Sequence, residues 1–284
     1  MKWQGRRTSR NIEDRRARSG GTHAGGAKLG GIGLIAVLLI GAFLGVDVTP
    51  LLNGGGLAPS SGGGEITAQD ERMAEFASVT LADTEEVWAR IFEQQVDGPY
   101  QPATLVLFKG ATQSPCGGAN GATGPFYCPA DNKAYLDTEF FTTLERQLGA
   151  KGDFAAAYVI AHEIAHHVQD ELGILAQANS VRQKSTEAQS NAISVRIELQ
   201  ADCYSGIWAR EAGKQFGSIE AGDIKEAMNA ARQIGDDTLQ RNAGKRPMPH
   251  TFTHGTSEQR ARWFATGYKS GDLRSCDTFS ARKL

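Results

Sequence analysis

The sequence AAAYVIAHEIAHHVQDEL, residues 155–172, contains the pattern H-E-x-x-H in His162, Glu163 and His166. Alanines and straight-chain residues favour a helix here, and Gly173 is well placed to end it. Residues four apart lie on one helix face, so both imidazoles can reach a single zinc ion at about 2.0 to 2.1 Å. Glu163 lies beside that face, where its carboxylate can take a proton from a metal-bound water. The alternative is an ordinary amphipathic helix that carries two histidines by chance.

A catalytic zinc site needs a third protein ligand and leaves its fourth position to water. In the metzincin pattern, a Gly follows the second His by three residues and a third His follows it by six. Gln169 and Leu172 occupy those positions here, which excludes the metzincin arrangement. A carboxylate from a second helix is the other usual source of the ligand.

Residues 187–212 predict that second helix, because their apolar residues recur near helical spacing and Gly213 would close it. Glu198 and Asp202 stand four apart on one face of this apolar segment, where carboxylates are out of character unless something pairs them. We interpret Glu198 as the third zinc ligand and Asp202 as the acceptor that fixes the tautomer of a ligating His. The alternative is a solvated acidic edge paired with arginines of the same helix.

The first 65 residues read as appendages to the folded domain. Residues 1–28 are rich in Lys, Arg and Gly and predict a disordered basic cytoplasmic tail. Residues 29–46 form an uncharged run that would span about 27 Å as a helix, near the thickness of a bilayer core. We interpret the run as a transmembrane signal-anchor of the inner membrane; a cleaved signal peptide and a buried soluble helix are the alternatives. Residues 47–65 then predict a Gly-rich linker and residues 66–284 an extracytoplasmic domain.

All four cysteines follow the apolar run: Cys116, Cys128, Cys203 and Cys276. An even count in an oxidising compartment predicts two disulfides, for which three pairings are possible. We favour Cys116 with Cys128, which would close a short Gly-rich loop. Cys203 and Cys276 would then tie the end of the chain to the ligand helix. The alternative is a second structural zinc site, against which the lack of a C-x-x-C pair argues.

The composition of the chain is typical of one sizeable globular domain plus appendages. The 284 residues are 40% hydrophobic and carry a formal net charge of −2, which gives no indication of nucleic-acid binding. Residues 104–108 predict a strand, and residues 124–137 predict two more around a turn. The predicted fold is therefore α+β and mainly α-helical, with a small antiparallel or mixed sheet, preceded by one transmembrane helix.

A late histidine is the remaining candidate for the site. Thr256 and Gln259 form a plausible capping box, which places His254 just before a helix N-terminus. A His there can stay neutral or donate a hydrogen bond to an oxyanion. The alternative is a structural histidine in a loop.

Four motifs together resemble the bacterial neutral zinc metallopeptidase family, over nearly the whole chain: HEIAHHVQ, ELQAD at 198–202, GPFYCPAD at 124–131 and FTHGTSEQR at 252–260. More distantly, the pattern is similar to the membrane gluzincins that include the CAAX-prenyl proteases and the heat-shock membrane protease. The resemblance implies a zincin-like domain, with zinc on His162, His166 and Glu198 and with Glu163 as base. It also implies that Asp202 supports the ligands, and that His254 and Arg260 support the substrate or the transition state. The chain departs from the gluzincin pattern at Gly255, where those proteases usually have Pro.

These observations lead us to expect a membrane-anchored, zinc-dependent endopeptidase that hydrolyses peptide bonds of extracytoplasmic proteins or peptides. A membrane-tethered zinc-binding scaffold without turnover is the alternative, in which a fourth protein ligand such as His254 would close the metal site. A helical domain that binds proteins without any metal is a third reading.

Overall fold

The computed structural model of the chain describes residues 1–17, 65–120, 123–146 and 152–284. Within these ranges the α-helices are α1 (Ala68–Gln95), α2 (Phe140–Arg146), α3 (Asp153–Glu171), α4 (Ile174–Arg182), α5 (Glu187–Phe216), α6 (Asp223–Gln233), α7 (Asp236–Asn242) and α8 (Ser257–Ser270). The strands are β1 (Ile12–Asp14), β2 (Thr104–Phe108), β3 (Ala111–Ser114), β4 (Gly117–Asn120), β5 (Phe126–Cys128) and β6 (Lys133–Asp137), and Pro249–Thr251 and Leu273–Cys276 are short 3-10 helices. The prediction of a mainly helical α+β domain with a small sheet is confirmed.

The main sheet is mixed, with the strand order β1-β2-β6-β5. β2 runs parallel to both β1 and β6, with Leu105 opposite Ile12 on one side and Val106 opposite Tyr135 on the other. β5 runs antiparallel to β6 and lies at the edge of the sheet. A separate hairpin, β3-β4, precedes β5. The predicted strand at residues 104–108 is thus a central strand, and its residues 105–108 are buried.

Capping boxes begin three of the long helices, as short-range chemistry predicts. In each, the N-cap threonine accepts from the third helical residue and that residue's side chain accepts from the threonine backbone: Thr67 with Asp70, Thr186 with Gln189 and Thr256 with Gln259. The box predicted before α8 is therefore present. α5 runs through the glycine at 213 and ends at Gly217, whose φ of +60° suits the left-handed end of a helix.

Two glycines let α5 and α8 approach until their backbones touch. A Cβ on Gly267 of α8 would lie 1.8 Å from the carbonyl oxygen of Cys203, and a Cβ on Gly206 of α5 would lie 2.0 Å from that of Phe264. No side chain fits in such a gap, so only glycine permits this crossing. The close contact places the second half of α8 directly against the middle of α5.

Both disulfides form as predicted. Cys116, in the turn of the β3-β4 hairpin, pairs with Cys128 at the end of β5, and Cys203 pairs with Cys276 across 73 residues. The second bond joins the 3-10 helix at 273–276 to the middle of α5, and both of its cysteines are fully buried. The C-terminal segment is therefore held against the helix that carries Glu198.

The predicted disordered tail is wrong for residues 1–17, which pack on the domain. β1 adds a strand to the main sheet, and the ring of Trp3 packs edge-on against Phe76 of α1. The basic residues pair with acids of α1: Arg6 with Asp83 at 2.6 Å, Arg7 with Glu85 and Glu86, and Arg16 with Glu71. Because these partners lie more than 50 residues away in sequence, the composition of the segment alone could not reveal them.

The predicted single-pass topology is also wrong. No helix in the described part of the chain is long and apolar enough to cross a membrane. The apolar run 29–46, and the linker 47–65 up to residue 64, lie outside the described residues. β1 and β2 come from the two sides of that run yet pair in one sheet. One membrane crossing between them would separate them, so a cytoplasmic N-terminus with an extracytoplasmic domain does not fit this structure.

Candidate metal centre

The crossing of α3 and α5 brings together the three residues that the sequence marked as zinc ligands. One side-chain atom from each of His162, His166 and Glu198 lies within 4.8 Å of the corresponding atoms of the other two. The Nε2 atom of His162 is 3.0 Å from one Glu198 oxygen, and the Nε2 atom of His166 is 3.6 Å from the other. Both imidazoles therefore present the same nitrogen to the same carboxylate.

Asp202 fixes the ring of His162. Its Oδ1 atom lies 3.0 Å from the Nδ1 atom of His162. Because a carboxylate only accepts hydrogen bonds, Nδ1 carries the proton and Nε2 can offer its lone pair to a metal. This is the contact that the spacing of Glu198 and Asp202 predicted.

Gln169 fixes the ring of the second histidine, His166. Sequence reasoning missed this glutamine. The buried amide of Gln169 donates through Nε2 to the carbonyl of Ile197 at 2.8 Å and to Gln200 at 3.0 Å. Its Oε1 atom is thereby turned to His166, 2.8 Å from Nδ1. Nδ1 of His166 must then be the donor, which again leaves Nε2 for the metal.

Asp202 also anchors a buried polar cluster between three helices. Arg260 of α8 donates to both of its oxygens, through Nε at 2.9 Å and Nη2 at 3.1 Å. The hydroxyl of Tyr158, one turn before His162 on α3, donates at 2.5 Å. Asp202 is 0% exposed and Arg260 2% exposed. Burial raises the pKa of Asp202, but the Arg260 charge and the contact with His162 outweigh it, so the pKa lies below its usual value.

Neighbouring charges and burial shift the pKa values of the groups at the metal centre. Burial opposes a charge on His162, but hydrogen bonds to Asp202 and Glu198 raise its pKa to about 10. Burial would raise the pKa of Glu198, yet the charges of His166 and His254 and its bonds to the ligand histidines hold it well below the usual value. Burial raises the pKa of Glu163 beside them. Glu163 is thus a weaker acid than Glu198, and it lies next to the three candidate ligands.

The donor set fits zinc. Two imidazoles and one carboxylate are a usual ligand set of catalytic zinc sites, which use three protein ligands. The acceptors on both Nδ1 atoms are the kind of contact that orients ligating histidines. His254, the fourth ligand that a closed structural site would require, is not among the three converging residues.

His254 is held close to this group by an aspartate that sequence reasoning missed. The Oδ2 atom of Asp236 accepts from the backbone nitrogens of Thr253, His254 and Gly255, at 2.8, 2.7 and 2.9 Å. Its Oδ1 atom lies 3.3 Å from the Nδ1 atom of His254. Burial lowers the pKa of His254, but the charges of Glu198 and Asp236 raise it above the usual value. No local pattern around Asp236 indicated this role.

The departure at Gly255 has a backbone cause. Its φ is +93°, in the left-handed region. Proline is locked near −65° and cannot adopt this conformation. A proline here would displace the loop that Asp236 clamps.

Arg260 lies in the buried cluster around Asp202, and two tyrosines of the sheet bond to residues near them. Arg260 contacts Asp202, the hydroxyl of Tyr158 and the carbonyl of Ile234, all within the buried cluster. The hydroxyl of Tyr127 bonds Asp170 at 2.9 Å and His167 at 3.0 Å, and that of Tyr135 bonds Asp131. These groups are already committed to contacts within the fold.

These features define a helical α+β protein with a His-His-Glu metal centre on two crossing helices. The model of the family described as "Putative neutral zinc metallopeptidase" matches residues 1–279, and the chain belongs to this family. Zinc is accordingly its cofactor, with His162, His166 and Glu198 as the group able to hold it.

Related bacterial proteins match large parts of the chain. "Uncharacterized protein YpfJ" of Escherichia coli (strain K12) is 45% identical over 285 residues, covering 98% of this chain and 99% of the relative. "Uncharacterized protein Mb2605" of Mycobacterium bovis is 44% identical over 195 residues, covering 65% of each chain. No solved structure matches the chain.

Proposed function

We propose that this protein is a zinc-dependent endopeptidase that hydrolyses peptide bonds in proteins or peptides. The observation that carries the proposal is the convergence of His162, His166 and Glu198, with the carboxyl of Glu163 beside them and not among them. Three ligands suit catalytic sites, whereas structural sites close with four. Membership of the metallopeptidase family supports the same reaction class.

Zinc held by these three residues supplies Lewis acidity, which activates water and polarises the scissile carbonyl. Glu163 takes the proton from the attacking water and delivers it to the leaving nitrogen. Burial raises the pKa of Glu163, which brings it closer to the working pH of a general base. His254 donates a hydrogen bond to the oxyanion, and Asp236 keeps its ring in place.

The free edge of the sheet offers a place for the substrate backbone. β5 ends the strand order, and its outer edge pairs with no other strand of the described residues. Tyr127 of β5 bonds Asp170 and His167 of α3, so this edge is fixed to the helix that carries the ligand histidines. An extended peptide could add to the edge through main-chain hydrogen bonds.

The exchange Glu163→Gln tests the proposal. The variant keeps all three ligands, so its zinc content should match that of the wild type, while cleavage of casein or a peptide mixture should fall about 10²- to 10⁴-fold. Glu171→Gln is the matched control, because Glu171 is an exposed residue of the same helix. Equal cleavage by Glu163→Gln and wild type would refute the role of Glu163. Zinc-loaded wild type that cleaves no peptide would favour the zinc-binding protein without turnover.

A further inference from the structure

α4 forms one wall beside the metal centre. Its residues Leu175 and Ala178 form a small apolar cluster with Ile197 of α5, against which Tyr127 of β5 also packs. Ile197 immediately precedes the ligand Glu198. α4 therefore packs on α5 directly beside the ligand Glu198 and close to β5.

The last residue of α4, Arg182, is a half-buried cation that has no acidic partner in the described part of the chain. Its Nε atom donates to the hydroxyl of Ser190 and its Nη1 atom to the side-chain oxygen of Asn179, both at 3.1 Å. Among the described residues, no carboxylate lies within ion-pair distance of Arg182, and no hydrogen bond uses its Nη2 atom. Three of its five N–H donors thus have no partner among the described residues, although neutral groups hold the side chain in place.

Arg182 interacts electrostatically with Glu198 of the metal centre. Burial lowers its pKa, and the charge of Glu198 opposes this effect. Glu198 belongs to the zinc group, so its charge is committed to the metal when zinc is bound. Ser190, which holds the guanidinium, precedes Glu198 by about two turns of α5, or roughly 12 Å along the helix. Arg182 is therefore a partly desolvated cation beside the ligand helix, and such a cation favours pairing with an anion.

We propose that Arg182 binds a carboxylate of the substrate, so that the enzyme prefers peptides with a carboxylate close to the scissile bond. This inference rests on the proposed peptidase function. The carboxylate has two sources, an acidic side chain or the C-terminus of a short peptide. The planar guanidinium suits either source, because its parallel N–H groups match the two oxygens of a carboxylate.

A structural role is the competing explanation, since a cation in the last turn of α4 interacts favourably with the helix dipole. That role would affect the stability of the fold and leave the choice of substrate unchanged. The two explanations therefore differ in what a substitution does to substrate preference.

The test compares full-length, zinc-loaded wild type with Arg182→Gln and Arg182→Lys. A degenerate peptide mixture with blocked ends is digested, and cleavage sites are read by mass spectrometry. The best sequence is then made with Glu or Gln at the preferred acidic position, and with a free or amidated C-terminus. We expect the wild type to favour the carboxylate form about 10- to 100-fold in kcat/KM, the effect of one charge-assisted hydrogen-bonded contact.

Arg182→Gln should abolish the preference for the carboxylate form. Arg182→Lys should retain part of it, because the charge remains but the planar, bidentate guanidinium is lost. Lys184→Gln is the matched control: it removes one exposed positive charge two residues away and should keep the wild-type ratio. The Glu/Gln pair and the acid/amide pair show which carboxylate is bound. Affinity for the same labelled peptides, measured by fluorescence anisotropy on Glu163→Gln chains with and without Arg182→Gln, should change in parallel.

Active wild type without a carboxylate preference, or an unchanged preference in Arg182→Gln, would refute the inference and leave the peptidase function intact. Wild type that cleaves no peptide would refute the peptidase function and the inference with it. A fall in thermal stability without a change in the ratio would assign Arg182 to the fold.

Discussion

The exchange Asp202→Asn should damage the stability of the fold and its zinc affinity together. The carboxylate accepts from His162, from Tyr158 and twice from Arg260. An amide of the same size has one oxygen, so its NH2 group must face at least one donor. Arg260 would keep its buried charge without a counter-charge, which costs about 3–5 kcal/mol in comparable cases.

This loss corresponds to a fall of about 6–20 °C in the unfolding midpoint for a domain of this size. The change in the unfolding midpoint is measured on the metal-free protein, with circular dichroism as the probe of thermal unfolding. Zinc affinity, measured by competition with a chromogenic chelator, should fall about 10- to 100-fold, because His162 loses the acceptor that orients its ring.

The double variant Asp202→Asn with Arg260→Met separates the two effects. Removing the unpaired cation should recover at least half of the lost stability, because an apolar side chain suits that site better than an unpaired charge. Zinc affinity should stay low, because Nδ1 of His162 still lacks its carboxylate. Wild-type stability in Asp202→Asn, or recovery of zinc affinity together with stability, would refute this account.

Three further predictions concern the ligand, the clamp and the helix crossing. Glu198→Ala should lose zinc in elemental analysis; an unchanged zinc content would remove Glu198 from the ligand set. In the metal-free protein, the charges of Glu198 and Asp236 raise the pKa of His254 above its usual value of 6.5, so protonated His254 stabilises the fold below pH 6.5 and this contribution disappears as pH rises through the folded pKa. In Asp236→Asn, NMR titration of the metal-free protein should show a lower His254 pKa, and an unchanged value would contradict the clamp. Gly267→Ala should destabilise the protein by several kcal/mol in urea unfolding, because the new methyl would overlap the carbonyl of Cys203; a wild-type midpoint would exclude the close crossing.

The ligand set was predictable because it depends on helical periodicity. Two histidines four apart, and two carboxylates four apart on a second apolar helix, each fix a face regardless of the rest of the fold. The capping box before α8 is local in the same way. The cysteine pairs followed from loop length and from the count of cysteines.

The missed residues act over distances that a sequence pattern does not encode. Gln169 and Tyr158 are on the predicted ligand helix, but their roles depend on what α5 presents to them. Asp236 clamps a loop 17 to 19 residues further along the chain. The N-terminal segment looked disordered because its charges are unpaired until α1 supplies acids such as Asp83.

The contrast between two arginines bears on how the site handles substrate. The resemblance to gluzincins implied that Arg260 supports the substrate or the transition state, and in the structure its N–H groups are used by Asp202, Tyr158 and a backbone carbonyl. An arginine that is already paired and buried cannot also bind a peptide without leaving Asp202 unpaired, at the cost given above. A positive charge offered to substrate must therefore come from a group whose donors are still unused. Arg182 meets that requirement, because its partners are neutral and its Nη2 atom bonds to none of the residues that the structure describes. Arg260 instead connects the metal site to the stability of the fold.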